Sequence, residues 1–241
     1  MKLLKKIYKH SLNHPNNIAI SGNNKISYFN FWQMANNLAF YLKKKKIDKI
    51  CILENKEDDF ICYVAMVASL ISGGTYIPIN NALPLNRLKF VLTSSKAKLL
   101  ISKFKPSKKI NLKSLSMKEI LKLKKVSNIK TVNSMKDAYI IYTSGSTGKP
   151  KGVRISRNSL DHYIMWISKK FFQKKNLRCS QHPSIGFDLS VADIFGTLSS
   201  GGTLFPIQND YDRLFLNKFI KKNRLTHWIS VPSAVDLVFD Q

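Results

Sequence analysis

The sequence predicts an α/β protein of mostly parallel sheets flanked by helices. Short apolar runs alternate with longer segments of helical spacing along nearly the whole chain. Strands in that order belong to sheets covered on both faces. The chain has 241 residues and a hydrophobic share of 44%, enough for a sizeable core without disulfides or a structural metal.

Residues 1–11 are basic and amphipathic (Leu3, Leu4, Ile7, Tyr8) and read as an ordinary N-terminal helix. They lack the apolar middle and cleavage site of a signal peptide, although the pattern also suits a membrane surface. Residues 18–20 and 25–27 form a strand pair around Gly22-Asn23-Asn24. Residues 29–42 place Phe31, Met34, Ala35, Leu38, Ala39 and Leu42 at helical spacing, and the lysines at 43–46 suit a helix C-terminus. Residues 50–53 form a buried strand, and 58–71 a helix closed by Gly73-Gly74. Residues 75–79 form a strand, Pro84 opens a helix to Ser94, and 98–102 form the next strand.

The lysine-rich stretch 103–135 is weakly patterned and reads as a variable insertion with a helix near 117–125. Strands follow at 138–143 and 153–156, then a helix at 158–172 and a strand at 177–181. The rest alternates: helix 189–198, strand 203–206, helix 213–222, strand 226–231 and helix 233–239. Ligands of parallel sheets sit beyond the carboxyl ends of strands. The chemistry is therefore expected in the loops after Thr143, Gln181 and Val231.

Composition narrows the function classes. Cys51, Cys62 and Cys179 are scattered, an odd number without metal or redox spacing, which points to a reducing interior and a cytoplasmic protein. His10, His14, His162, His182 and His227 are also spread out, so no metal site is expected. No apolar run is long enough to span a bilayer. The net charge of +26 would suit nucleic acid or an anionic surface. The excess is mostly Lys in a chain also rich in Asn and Ile, which reads as codon bias toward AT-rich triplets and a solvated lysine coat. No nucleic-acid recognition motif or interleaved aromatic pattern is found, so no specific nucleic-acid partner is expected.

The sharpest signal is the string Tyr142-Thr143-Ser144-Gly145-Ser146-Thr147-Gly148-Lys149-Pro150-Lys151-Gly152, directly after an apolar strand. Glycines let successive amides turn toward one point and form an anion nest. The hydroxyls add donors, and Lys149 and Lys151 add charge. Hydrogen bonds to ionised groups are worth about 1.5–3 kcal/mol each, so several together can hold a polyphosphate. It is not a Walker-type loop: Thr143 stands at its first glycine position, and Pro150 follows the lysine. Pro also disfavours helix at the preceding residue, so the phosphate is expected on a loop and not on a helix N-terminus.

At these residues the chain resembles the adenylate-forming, or AMP-binding, enzymes, a family that includes acyl-CoA synthetases, luciferases and amino-acid adenylation domains. The resemblance extends in order along the chain. His14-Pro15-Asn16-Asn17-Ile18-Ala19-Ile20 and Ile26-Ser27-Tyr28-Phe29-Asn30-Phe31 resemble the family's opening segments. Ser69-Leu70-Ile71-Ser72-Gly73-Gly74-Thr75-Tyr76-Ile77-Pro78-Ile79-Asn80 resembles its second motif. Phe187-Asp188-Leu189-Ser190-Val191-Ala192-Asp193-Ile194 is similar to the amino-acid-activating branch, most of all to D-alanine–carrier protein ligases and then to peptide-synthetase adenylation domains.

The resemblance implies an N-terminal portion of an AMP-binding domain over residues 1–241. It also implies attack of an amino-acid carboxylate on the α-phosphate of ATP, with Mg²⁺, and transfer of the product to phosphopantetheine on a carrier protein. Thr143, Ser144, Gly145, Ser146, Thr147, Gly148, Lys149 and Lys151 would grip the phosphates. Asp188 would pair with the substrate ammonium, because an unpaired buried charge is costly. An N-cap of the following helix is the other reading of Asp188. Ala192 and Ser233 would line the side-chain pocket. Relatives often carry His where this chain has Arg157, so no role passes to that position.

The family continues well past the position matching Gln241. The adenine-stacking and Mg²⁺-ligating motif, the ribose-binding Asp and the C-terminal lid domain with the catalytic lysine have no counterpart here, so no catalytic residue is assigned. Three expectations stand. The chain is part of a larger or split amino-acid ligase, with a second polypeptide supplying the rest. Or it is a truncated remnant with weak nucleotide or partner binding. Or it activates a non-amino carboxylic acid, as acyl-CoA synthetases do.

Overall fold

The computed structural model describes residues 1–54, 60–103, 110, 112–130, 136–143 and 150–239. The first half of the chain runs α1 (Lys2–Asn13), β1 (Ile18–Ser21), β2 (Lys25–Ser27), α2 (Tyr28–Lys44), β3 (Lys49–Leu53), α3 (Ile61–Ser72), β4 (Thr75–Ile79), α4 (Leu85–Ser94), β5 (Leu99–Ser102), β6 (Ser114–Ser116) and α5 (Met117–Leu121). The second half begins with β7 (Asp137–Thr143), β8 (Lys151–Ser156), α6 (Arg157–Lys170) and β9 (Arg178–Gln181). Next come α7 (Leu189–Val191), a π-helical turn (Ala192–Gly196), α8 (Thr197–Ser199) and β10 (Thr203–Pro206). It ends with α9 (Asp210–Leu214), α10 (Leu216–Lys222) and α11 (Pro232–Phe239). Two compact units result, one from Met1–Asn30 and the chain from Asp161 onward, the other from residues 31–54 and Ile61–Leu160. Each holds one mostly parallel sheet among helices, the fold class read from the sequence.

In the second unit the strand order is β6-β5-β3-β4-β7-β8. All neighbours are parallel except the β7–β8 pair. Every residue of α3 is buried, as expected of a helix that is apolar all round. Arg157, also buried, staples this unit. Its Nη1 donates to the Leu70 carbonyl at 3.1 Å and its Nη2 to the Gly74 carbonyl at 2.8 Å. Burial pulls its guanidinium down to about 10, so it is still charged at neutral pH. Gly74 is required there, because a Cβ would stand 2.8 Å from the Asp48 carbonyl oxygen.

Inside 103–135 the structure adds β6, a short edge strand pairing with β5 that the sequence reading left unassigned. Three residues give too little alternation to be seen by periodicity. The chain after α5 is strapped to α2 by amides. Asn36 Nδ2 donates to the Val126 and Ser127 carbonyls, and Asn37 Oδ1 accepts from the Val126 amide.

In the first unit the order is β2-β1-β10-β9, antiparallel only between β1 and β2. The apolar face of α1 (Leu3, Leu4, Ile7) is buried in the protein, which answers the membrane-surface alternative for this helix. Its N-terminus carries no acid of its own. Asp161 on α6 accepts from the Lys2 and Leu3 amides at 2.8 Å each and supplies the favoured negative charge. The helix expected at 213–222 is two helices, broken at Phe215 (φ −107°, ψ 56°). The strand expected at 226–231 shrinks to one parallel bridge, Cys179 with His227. The Thr226 hydroxyl accepts the Arg178 amide, so a side chain takes a place the ladder would use. Among the described residues no helix is long and apolar enough to cross a membrane. The predicted start of α3 at Asp58 lies outside the described residues.

Replacing Arg157 by Met keeps the bulk but strips two buried carbonyls of a charged donor. Stability is expected to fall by about 2–4 kcal/mol in urea unfolding. A change within about 0.5 kcal/mol, the ordinary range for a surface substitution, would contradict the staple.

Candidate functional site

The phosphate-loop string lies between β7 and β8. Ser144, Gly145, Ser146, Thr147, Gly148 and Lys149 lie outside the described residues. Thr143 and Lys151, which frame them, are exposed and are the last register pair of the antiparallel ladder. Such partners stand about 4.5–5.5 Å apart, so the segment between them has a closed base. Since β7 runs parallel to β4, that base sits at the carboxyl edge of the parallel strands, where ligands of such sheets bind.

The neighbouring positions show why the sequence folds this way. Gly152 pairs with Tyr142, and a Cβ at 152 would approach Ile140 Cγ2 to 2.9 Å and Tyr142 Cζ to 3.3 Å. Glycine at this place lets β8 lie close against those side chains. The Ser94 hydroxyl meets the Tyr142 hydroxyl at 3.1 Å, tying the strand's end to α4. At the far end of the hairpin, buried Asp137 accepts from Arg154 Nε at 2.7 Å.

The other predicted site residues belong to the first unit. Asp188 is exposed immediately before α7, and its side chain makes no helix-capping hydrogen bond. The structure therefore does not use this acid as the cap that one reading gave it. Ala192 is buried and opens the π turn. That turn is accommodated at Gly196, where a Cβ would fall 2.9 Å from the Phe172 ring. π turns often mark functional places in helices. Ser233 is exposed on α11. The segment before α11 meets the loop after β9 through His182 Nδ1 and the Ser230 hydroxyl, 2.7 Å apart. The loop expected after Gln181 is thus tied to the residue just before Val231. Burial, then the charge of Arg213, holds the His182 imidazole below its ordinary range.

Two residues near Asp188 were given no role from the sequence. The Tyr163 phenol on α6 is pushed up by burial and then by the charges of Asp188 and Asp193. Asp193 is fully buried, and neither carboxylate oxygen has a hydrogen-bond partner among the described residues. Burial raises its carboxyl well above the usual carboxylate range, outweighing the opposing pull of the nearby His182 backbone. The signal was an acid at an inward position of an apolar helix. Among the described residues no three His, Cys, Asp or Glu side chains converge to hold a metal ion.

A family model described as AMP-binding enzyme matches residues 7–241. The D-alanine–D-alanyl carrier protein ligase of Lactococcus lactis is 28% identical over 98% of this chain and 50% of its own length. Its counterpart from Bacillus licheniformis is 30% identical over 98% of this chain and 49% of its own length. Bacitracin synthase 3 of Bacillus licheniformis is 32% identical over 92% of this chain and 4% of its own length. The chain thus spans about half the length of the D-alanine ligases it matches. Among solved structures, an AMPPNP-bound nonribosomal peptide synthetase, FmoA3, superposes with a TM-score of 0.86 at 21% identity, covering 99% of this chain and 26% of the other. The O-succinylbenzoate coenzyme A synthetase of Bacillus subtilis gives 0.81 at 17% identity, covering 98% and 63%. These likenesses establish the fold.

Asp193 sets a direction for pH. Its folded carboxyl titrates above the unfolded value near 3.8, so its stabilising share is complete below that value and is lost as pH rises toward the folded one. Asp193→Asn removes this dependence. In urea unfolding from pH 4 to pH 8 the variant is expected to gain on the parent, by at most about 1.4 kcal/mol per pH unit. Parallel pH profiles would show that Asp193 does not titrate this way.

Proposed function

The chain belongs to the AMP-binding enzyme family, and we propose that it serves the adenylation of an amino acid, as part of a larger or split ligase that loads a carrier protein. In that reaction a carboxylate oxygen attacks the α-phosphorus of ATP. The bond to the β-phosphate bridge breaks, pyrophosphate leaves, and an aminoacyl adenylate remains. The acyl group then passes to the phosphopantetheine thiol of the carrier. Such catalysis is mostly positioning and charge neutralisation.

The observation that carries the reading is the Thr143–Lys151 closure at the carboxyl edge of the sheet, with the Ser-Gly-Ser-Thr-Gly-Lys string between its ends. Backbone amides, hydroxyls and the two lysines there would take the β- and γ-phosphates. Asp188 is the second support. Its exposed carboxylate is not engaged in capping α7 and suits the α-ammonium of an amino acid. Ala192 and Ser233 are assigned to the side-chain pocket on the family resemblance. Mg²⁺ accompanies ATP in this chemistry.

The test is ATP–pyrophosphate exchange with a panel of amino acids and, separately, of carboxylic acids lacking an amine. It is run with the chain alone and with a polypeptide matching the relatives' remaining length. Amino-acid-dependent exchange in either setting is expected. Silence in both would leave the remnant reading. Lys149→Ala with Lys151→Ala should weaken ATP by about 10²-fold, the loss of two charge-assisted contacts at the low end of their range. Asp188→Asn should raise the amino-acid KM by about 10–100-fold while sparing any acid without an amine. An unchanged KM would remove the ammonium role from Asp188.

A further inference from the structure

Helices α1 and α6 and the end of α8 line an open cleft of about 820 Å³, wholly inside the first unit. Its charged lining is Lys6, Lys9, His10, His14 and Lys169, without a carboxylate. Met165 and Phe172 supply an apolar part of the wall. None of the three lysines is ion-paired among the described residues. Lys6 and Lys9 are one helical turn apart on α1, where like charges repel. Part of this charge answers the C-terminal ends of α1 and α6. Each helix end carries about half a negative charge, so the two together leave most of three lysines uncompensated.

His10, half-buried, lines the cleft. Its Nε2 lies 3.2 Å from the Ser199 carbonyl oxygen. Its ring covers Gly201 so closely that a Cβ there would stand 2.7 Å from Cε1. Gly201 also has φ +76°, a left-handed conformation that itself favours glycine. The ring stacks on His14 at 6.4 Å and tilts against Tyr28 at 5.7 Å. A chain of net charge +26 has basic surface in many places. This place differs in being concave, lined by a half-buried imidazole in contact with a backbone carbonyl, and flanked by cations from two helices.

We propose that this cleft binds a phosphate-bearing small molecule, its oxyanion held by Lys6, Lys9 and Lys169 together with the His10 and His14 rings that share the lining. Several cations meeting at one hollow match the several oxygens of a dianion better than a single carboxylate. Met165 and Phe172 leave room for an organic portion of the ligand. The site uses no residue of the 143–151 segment and does not depend on the adenylation reading.

Burial lowers the His10 imidazole most, its bond to the Ser199 carbonyl works the other way, and His14, Lys6 and Lys9 lower it further. Across the cleft it also faces Lys169 on α6 and the Tyr28 ring on α2. A bound oxyanion would favour the cationic imidazole. Binding should therefore take up a proton and tighten as pH falls.

The experiment follows the five histidine ring signals of the chain by NMR at constant ionic strength. Inorganic phosphate is one probe, and sulfate, whose charge does not change between pH 6 and 8, is the other. Saturable shifts at His10 and His14 are expected, with His162 unmoved and sulfate affinity several-fold tighter at pH 6 than at pH 8; phosphate, which loses most of its second charge over the same range, should tighten less than sulfate. No histidine lies in residues 143–151, so anion binding there would not produce this pattern. Lys6→Gln with Lys9→Gln should weaken binding at least tenfold, and Lys169→Gln, from a different helix, should weaken it too. Lys43→Gln with Lys44→Gln on α2 should change nothing. Shifts that never saturate, that appear equally at His162, or that fall equally in both double variants would mean general charge screening and would overturn the site.

Discussion

One strand carries the arrangement of the phosphate-loop region. β7 is parallel to β4 on one side and antiparallel to β8 on the other. The first pairing brings Thr143 to the carboxyl edge. The second returns the chain so that Lys151 stands opposite it. A slip of one residue would turn every side chain to the wrong face. Several contacts resist such a slip. Asp137 holds Arg154 at the far end, Thr75 donates its hydroxyl to the Asp137 carbonyl, and Gly152 alone fits beneath Ile140 and Tyr142. Arg157, just past β8, then ties the same sheet to the end of α3 and to Gly74.

What was readable in the sequence follows the strength of each local signal. β4 and β10 have the bounds that the apolar runs gave them, because buried parallel strands are written as near-continuous apolar stretches. β6 was invisible at three residues, since its place is set by β5 and not by its own composition. Asn36 and Asn37 sat unexplained inside a good helical pattern. Their partners lie about ninety residues away in sequence, and no window of periodicity reaches that far. Arg157 shows the same limit in another form. The sequence marked it only as a departure from relatives, whereas the fold uses it as an internal donor to two carbonyls.

The candidate site divides along the same line. Thr143 and Lys151 could be placed from the string and the strand before it. Their direct opposition needed the β8 register. Asp188 could be placed before a helix, but whether its side chain capped that helix could be decided only from geometry. His182 and Ser230 carried no motif at all. Their contact exists because the chain after α10 returns beside β9, again a long-range fact.

The short helix after Asp188 presents two acids with opposite fates. In an ideal α-helix five residues turn about 500°, which puts Asp188 and Asp193 on different faces. The π turn from Ala192 to Gly196 alters the winding between them and the core. The result is one carboxylate facing solvent and one fully buried with no hydrogen-bond partner among the described residues. Only the first is open to water. The second is favoured as the neutral acid, because burial outweighs the opposing pull of the His182 backbone. An acid in so apolar a setting costs stability unless it is uncharged. The same short segment therefore turns one acid to solvent and holds the other in the core.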